Sequence, residues 1–301
     1  MSKVFDQQRS RMADGQGFIA ALDQSGGSTP RALAQYGIPE ADYHSEDEMF
    51  DRVHQMRTRI ITNPAFTANR ILAAILFIQT VTRTVDGLPT AQYLWHRKGI
   101  VPFLKIDKGL AEAADGVRLM KPIPDIADQL ELAQTNEVFG TKERSVILQA
   151  DRSAIGRVVD QQFEIGAKVL GAGLVPILEP EVDINSVDKA ESEQILHDLL
   201  KQGLDALPEG REVMLKLSIP TTPGLYSDLI AHPRVLRVVA LSGGYSRGKA
   251  NELLARNPGL IASFSRALIG DLRAQQDDAT FTHTLDEAIE TIYRASVDKT
   301  V

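Results

Sequence analysis

The chain has 301 residues, 43% of them hydrophobic, enough to build one large core or two ordinary ones. Its formal net charge of −7, with acids and bases interspersed, argues against a nucleic-acid or polyanion binder, although a local site for a small anion is compatible with it. There is no cysteine, which excludes disulfides, thiolate metal sites and cysteine nucleophiles.

Met1–Asp6 carries no hydrophobic signal core, and the longest apolar run, Ile71 to Ile78, is too short to span a bilayer. A soluble cytoplasmic protein is the expectation. Residues 1–16 read as a polar arm or helix. Gly17 to Asp23 is a first buried strand, followed by the turn Gln24-Ser25-Gly26-Gly27-Ser28-Thr29-Pro30. His44 to Ile61 has apolar residues at helical spacing, and Ile71 to Ile78 is the second strand. Val101 to Asp107 is a strand ending in charge, and Ile126 to Glu137 is helical. Ser145 to Ala150 is the next strand, introduced by Lys142 and Arg144, with a helix over 155–170. Leu174 to Glu181 is a strand ending in two carboxylates, and 191–206 is helical. The Lys216 strand follows, then a strand over 235–241, a helix over 249–256 and a last strand over 260–265. A helix from Arg266 to about Gln275 and a terminal helix from Asp286 to Arg294 complete the chain.

Eight strand candidates alternate with helices, which predicts an α/β fold, a closed (β/α)8 TIM barrel. A doubly wound open sheet is the alternative, weakened because no G-x-G-x-x-G follows the first strand. Nothing divides the chain, so residues 1–301 read as a single domain, with 1–16 as N-terminal arm or helix and 284–301 as C-terminal helix and tail.

Val213-Met214-Leu215-Lys216-Leu217 organises the chemistry. So apolar a run suits a strand covered on both faces. A lysine there either faces solvent or enters a core or cleft, where a carbonyl-attacking amine forms Schiff bases. Lys105 stands in a similar apolar setting between Leu104 and Ile106. Glu179 and Glu181 are two apart and share a strand face, either as a general acid–base pair in a cleft or as an exposed acidic strand end. Ser242-Gly243-Gly244 after the seventh strand and Arg266 after the eighth are either tight loops or a phosphate site. Ser25, Ser28, Lys105 and Arg144 form a second set suited to an anion. The six histidines (His44, His54, His96, His197, His232, His283) lack metal-ligand spacing, so no metal is expected.

With Leu104-Lys105-Ile106-Asp107-Lys108-Gly109, Val175 to Glu181, Leu215-Lys216 and Leu241 to Gly244 in this order, the chain resembles class I, Schiff-base-forming fructose-bisphosphate aldolase in its short bacterial branch. The resemblance implies reversible, metal-independent cleavage of fructose 1,6-bisphosphate in glycolysis or gluconeogenesis, with no cofactor. Lys216 would be the Schiff-base lysine. Glu179, with Glu181 beside it, would exchange protons, Asp23 would handle the C4 hydroxyl proton, and Lys142 would stabilise charge. Lys105, Arg144, Ser25 and Ser28 would bind at the second phosphate. Ser242, Gly243, Gly244, Ser265 and Arg266 would bind the phosphate beside the ketone. The partner would be a small sugar phosphate, neither nucleic acid nor membrane, and a homo-oligomer is compatible with the reading. The alternatives are a Schiff-base aldolase for another sugar phosphate and a catalytically silent sugar-phosphate-binding barrel. Three features depart from the family's pattern. Gln24 stands where an acid is usual, Ser265 stands where a glycine precedes the arginine, and the end Asp298-Lys299-Thr300-Val301 has no terminal tyrosine.

Overall fold

In a computed structural model that describes residues 2–25 and 29–300, eight strands form one parallel ring. They are β1 (Phe18–Ala21), β2 (Ile71–Phe77), β3 (Val101–Lys105), β4 (Gly140–Ile147), β5 (Val175–Val182), β6 (Val213–Ser218), β7 (Val235–Leu241) and β8 (Ile261–Phe264). Their order is 3-2-1-8-7-6-5-4, and β3 pairs with β4 to close the barrel, with Lys105 opposite Lys142. The fold is therefore a (β/α)8 barrel, and the open sheet is ruled out.

Strand side chains alternate between faces. Ile19, Ile75, Phe103, Ile177, Met214, Val239 and Ile261 pack as one cluster inside the ring. Their neighbours Phe18, Leu76, Leu104, Leu178, Leu215, Val238 and Phe264 pack outward beneath the helices. Burial on both faces explains why these strands read as unbroken apolar runs.

The helix α1 (Lys3–Asp14) closes the end where the strands begin. Met12 joins the inner cluster, and the Phe5 ring lies 4.9 Å from Phe139, itself 5.5 Å edge-on from Phe103. Arg9 pairs with Glu212 at 2.6 Å, and Arg237 donates to the carbonyls of Met12, Ala13 and Gly15 at the end of α1. The outer helices are α2 (Thr29–Tyr36), α3 (Glu46–Thr62), α4 (Ile78–Val81), α5 (Thr90–Lys98), α6 (Ile126–Thr135), α7 (Arg152–Gly171), α8 (Lys189–Asp205), α9 (Ser227–Ile230), α10 (Arg247–Ala255), α11 (Arg266–Ile269) and α12 (Asp278–Val297). Among the described residues no helix is long and apolar enough to cross a membrane.

Three expectations are corrected. The fourth strand begins at Gly140 rather than Ser145, because its first half is polar on both faces and carries no hydrophobic signal. The helix after Arg266 ends at Ile269 rather than near Gln275, and α12 starts at Asp278, where the Asp277 carboxylate caps the Thr280 amide at 2.7 Å. Helix α5 was not anticipated; it ends at Gly99, whose φ of +67° suits glycine.

Candidate active site

The alternation that builds the inner core also builds the site. Continuing two residues at a time toward the strand ends, Ala21 leads to Asp23, Phe103 to Lys105 and Asp107, and Gly140 to Lys142 and Arg144. Ile177 leads to Glu179 and Glu181, Met214 to Lys216, and Ile261 to Ser263 and Ser265. Ile177 and Met214 are register partners on β5 and β6, so Glu179 and Lys216 stand level. All of these polar residues line one cavity of about 930 Å³ at the C-terminal mouth of the barrel, where such folds carry their active sites.

Lys142 is the hub. It is 2% exposed, and its Nζ lies 2.7 Å from Asp23 Oδ2, 3.0 Å from Glu179 Oε2 and 3.7 Å from Asp107 Oδ2. The other Glu179 oxygen, Oε1, lies 3.0 Å from Nζ of Lys216, which is 4% exposed. Glu179 thus bridges the two lysines. Lys105 donates to Asp107 Oδ1 at 2.7 Å and to the Asp107 carbonyl at 2.9 Å. Three ammonium groups face three carboxylates, so the buried cluster is charge-balanced, the condition under which such burial is tolerable.

Burial pushes the Asp23 carboxyl up, but Lys142, then Lys216 and Lys105, outweigh it and hold Asp23 far below the usual carboxylate range. Asp107 is likewise depressed, burial being overcome by Lys142 and Lys105. For Lys142 burial opposes the charge, yet Asp23, Glu179 and Asp107 raise it above the ordinary lysine range, making it a permanent cation. Nearer the rim, Arg144 Nε lies 2.6 Å from Glu181 Oε2; burial opposes that guanidinium's charge and Glu181 restores it.

Across the mouth, Ser242 and Gly243 line the cavity. Gly243 has φ +60°, and a Cβ there would meet Ile184 Cγ2 at 2.5 Å. Gly244, with φ +117°, lies outside the lining, but a Cβ on it would be 3.6 Å from Arg266 Nη2. Arg266 is exposed and opens α11. The two departures from the family pattern meet here: Gln24 Nε2 donates to Ser265 Oγ. The Gln24 carbonyl accepts from Arg57 Nη2 at 2.6 Å, Arg57 Nη1 donates to Thr80 Oγ1 at 2.6 Å, and the guanidinium sits 4.4 Å over the Phe77 ring. Burial pulls the Arg57 pKa down to about 9 against the pull of Asp23.

The structure gathers Asp23, Ser25, Lys105, Lys142, Arg144, Glu179, Glu181, Lys216, Ser242, Gly243, Ser265 and Arg266 around the cavity, while Ser28 lies outside the described residues. Glu179 is the carboxylate partner of Lys216, and Asp107 is that of Lys105. Sequence reasoning left out Asp107 and Ser263 as site residues, although each lies on the inward parity of a strand already assigned. Arg57 left no signal, because a lysine or arginine within an amphipathic helix reads as a solvated face.

These features define a parallel (β/α)8 barrel whose mouth holds a buried, carboxylate-bridged lysine pair. No family model matches the chain. Among solved structures it is similar to fructose-bisphosphate aldolase from Plasmodium falciparum, crystallised with TRAP and a small-molecule inhibitor, with TM-score 0.74, 20% identity and coverage of 100% of this chain and 97% of that one. It is also similar to Cgl0159 from Corynebacterium glutamicum, with TM-score 0.50, 12% identity and coverage of 97% and 92%. At these identities the likeness establishes the shared barrel.

Proposed function

We propose that the protein is a class I aldolase that reversibly cleaves fructose 1,6-bisphosphate to dihydroxyacetone phosphate and glyceraldehyde 3-phosphate through a Schiff base on Lys216. The observation that carries the reading is the Lys216–Glu179–Lys142 bridge, with its 3.0 Å contacts, buried at the barrel mouth. Glu179 Oε1 takes a proton from Lys216 Nζ, and the neutral amine adds to the C2 carbonyl. The carbinolamine loses water, with the proton returned by Glu179, leaving an iminium. The Asp23 carboxylate takes the C4 hydroxyl proton, the C3–C4 bond breaks, and its electron pair moves into the iminium to give an enamine. Glyceraldehyde 3-phosphate leaves. Protonation at C3 and hydrolysis then release dihydroxyacetone phosphate and regenerate the amine. Lys142 keeps Asp23 ionised and offsets charge near the reacting carbons.

The charge of the cavity supports a doubly anionic substrate. Nine basic side chains line it against four carboxylates, in a chain whose net charge is −7. The aldolase neighbour's shared fold is consistent with the same reading.

Reduction with borohydride in the presence of dihydroxyacetone phosphate is expected to leave one mass adduct on Lys216. Lys216→Met is expected to lose the adduct and at least about a thousandfold in kcat. Full activity in that variant, or an adduct on a different lysine, would remove the proposal.

A further inference from the structure

The cations on the cavity floor are already spoken for. Lys105 is held by Asp107, Lys142 by Asp23 and Glu179, Lys216 by Glu179, and Arg144 by Glu181 at 2.6 Å. Lys108, at the rim, is paired with Asp125 at 2.6 Å. Of the four remaining basic side chains lining the cavity, Arg31 lies on α2 after β1 and Arg266 at the end of the neighbouring β8, whereas Arg118 and Lys121 lie on the segment between β3 and β4, on the other side of the ring. Among the described residues neither Arg118 nor Lys121 meets a carboxylate.

That segment is a built hairpin. Val117–Arg118 pairs antiparallel with Val146 and Ile147 of β4. The Ala111 amide donates to the Leu119 carbonyl at 2.9 Å, and the Lys121 amide donates to the Gly109 carbonyl at 3.0 Å. Gln161 of α7 holds both backbone groups of Met120, accepting from its amide at 2.8 Å and donating to its carbonyl at 3.1 Å. Arg118 Nε donates to the Ala111 carbonyl at 2.9 Å, which fixes the guanidinium and leaves its Nη groups as donors.

We infer that Arg118 and Lys121 receive the substrate phosphate remote from the ketone, and so set the preference for a bisphosphate over a monophosphate. This rests on the aldolase reading and deepens it. It moves the charge that neutralises the second phosphate from Lys105 and Arg144, which carboxylates already engage, to the hairpin. A phosphate dianion at that end then meets cations that no carboxylate offsets, and the Lys–Asp and Arg–Glu pairs of the floor stay intact.

The test compares kcat/KM for fructose 1,6-bisphosphate and fructose 1-phosphate in wild type, Arg118→Gln, Lys121→Met and the double variant. Each single change is expected to lower the value for the bisphosphate on the order of tenfold, and the double change on the order of a hundredfold, as for loss of charged hydrogen bonds. The value for fructose 1-phosphate should move by less than about twofold. Arg118→Lys should recover part of the bisphosphate preference. Borohydride trapping of dihydroxyacetone phosphate, which lacks the remote phosphate, should be unchanged throughout. If the wild type traps nothing, the aldolase reading falls and this assignment with it. If trapping holds but the two substrates decline in parallel, or the bisphosphate value is unmoved, the assignment alone is overturned.

Discussion

Glu143 lies between Lys142 and Arg144 in the chain and faces away from both. It is fully buried on the outer side of β4, where Thr141 Oγ1 donates to its Oε2 at 3.1 Å and its Oε1 meets no partner. Burial, opposed only in part by the Thr141 hydrogen bond and reinforced by the charge of Asp107, pushes this carboxyl well above its ordinary range. Well below pH 4.5, both folded and unfolded chains carry the proton. Above that, the unfolded chain ionises while the folded one keeps its proton, so the unfolded state binds fewer protons and stability falls as pH rises toward the folded pKa. Glu143→Gln removes that dependence. Urea midpoints are expected to show the variant gaining on the wild type as pH rises above the ordinary glutamate range, until the folded carboxyl itself ionises. A gap that stays constant with pH would mean the carboxyl is ionised in the fold.

The loop after β1 is where two strand ends become one surface. Asp23 closes β1 and Ser265 closes β8, which are neighbours in the ring, with Ile19 opposite Ser263. Gln24 ties them through its bond to Ser265, and Arg57 of α3 ties Gln24 to Thr80 of α4. An ionised acid at 24 would face Arg57, whose Nη2 lies 3.5 Å from Gln24 Oε1, and would have no N–H to donate to Ser265, and a glycine at 265 would leave the amide of Gln24 without this acceptor. Gln24 and Ser265 therefore form one contact between the two strand ends. A double-mutant cycle with Gln24→Ala and Ser265→Ala is expected to return a coupling of about 0.5–1.5 kcal/mol in stability. Additive single changes would show that the pair does not act as a unit.

The whole barrel is divided along its axis. The end where the strands start is filled by Met12, Phe103, Phe139 and their neighbours under α1, and the end where they finish carries the charge cluster. The two halves touch but perform different tasks, since apolar packing holds the ring closed and the balanced charges face the cavity. Phe139, wholly buried between Phe5 and Phe103, belongs to the first half. Phe139→Ala is expected to lower the stability from urea titration by about 3–5 kcal/mol. Its kcat on the bisphosphate at low denaturant should stay within about twofold of wild type. A kcat loss comparable to that of Lys216→Met would show that the floor packing sets the geometry of the site.

The amino-acid order already contained the barrel's repeat, because strands buried on both faces must be continuously apolar and the helices between them must be amphipathic. It also marked Lys216, Lys105, Glu179 and Glu181, because charge within or at the end of such runs stands out locally. Lys142 stood out only as a charge introducing the fourth strand, whose first half is polar on both faces, and its carboxylates come from positions 23, 107 and 179, which only ring closure brings together. Arg57 in its helix and Arg118 and Lys121 on their hairpin carry no local mark either. Their roles depend on which carboxylates lie near them in space, and pairing between distant charges is decided by the closed ring rather than by spacing along the chain.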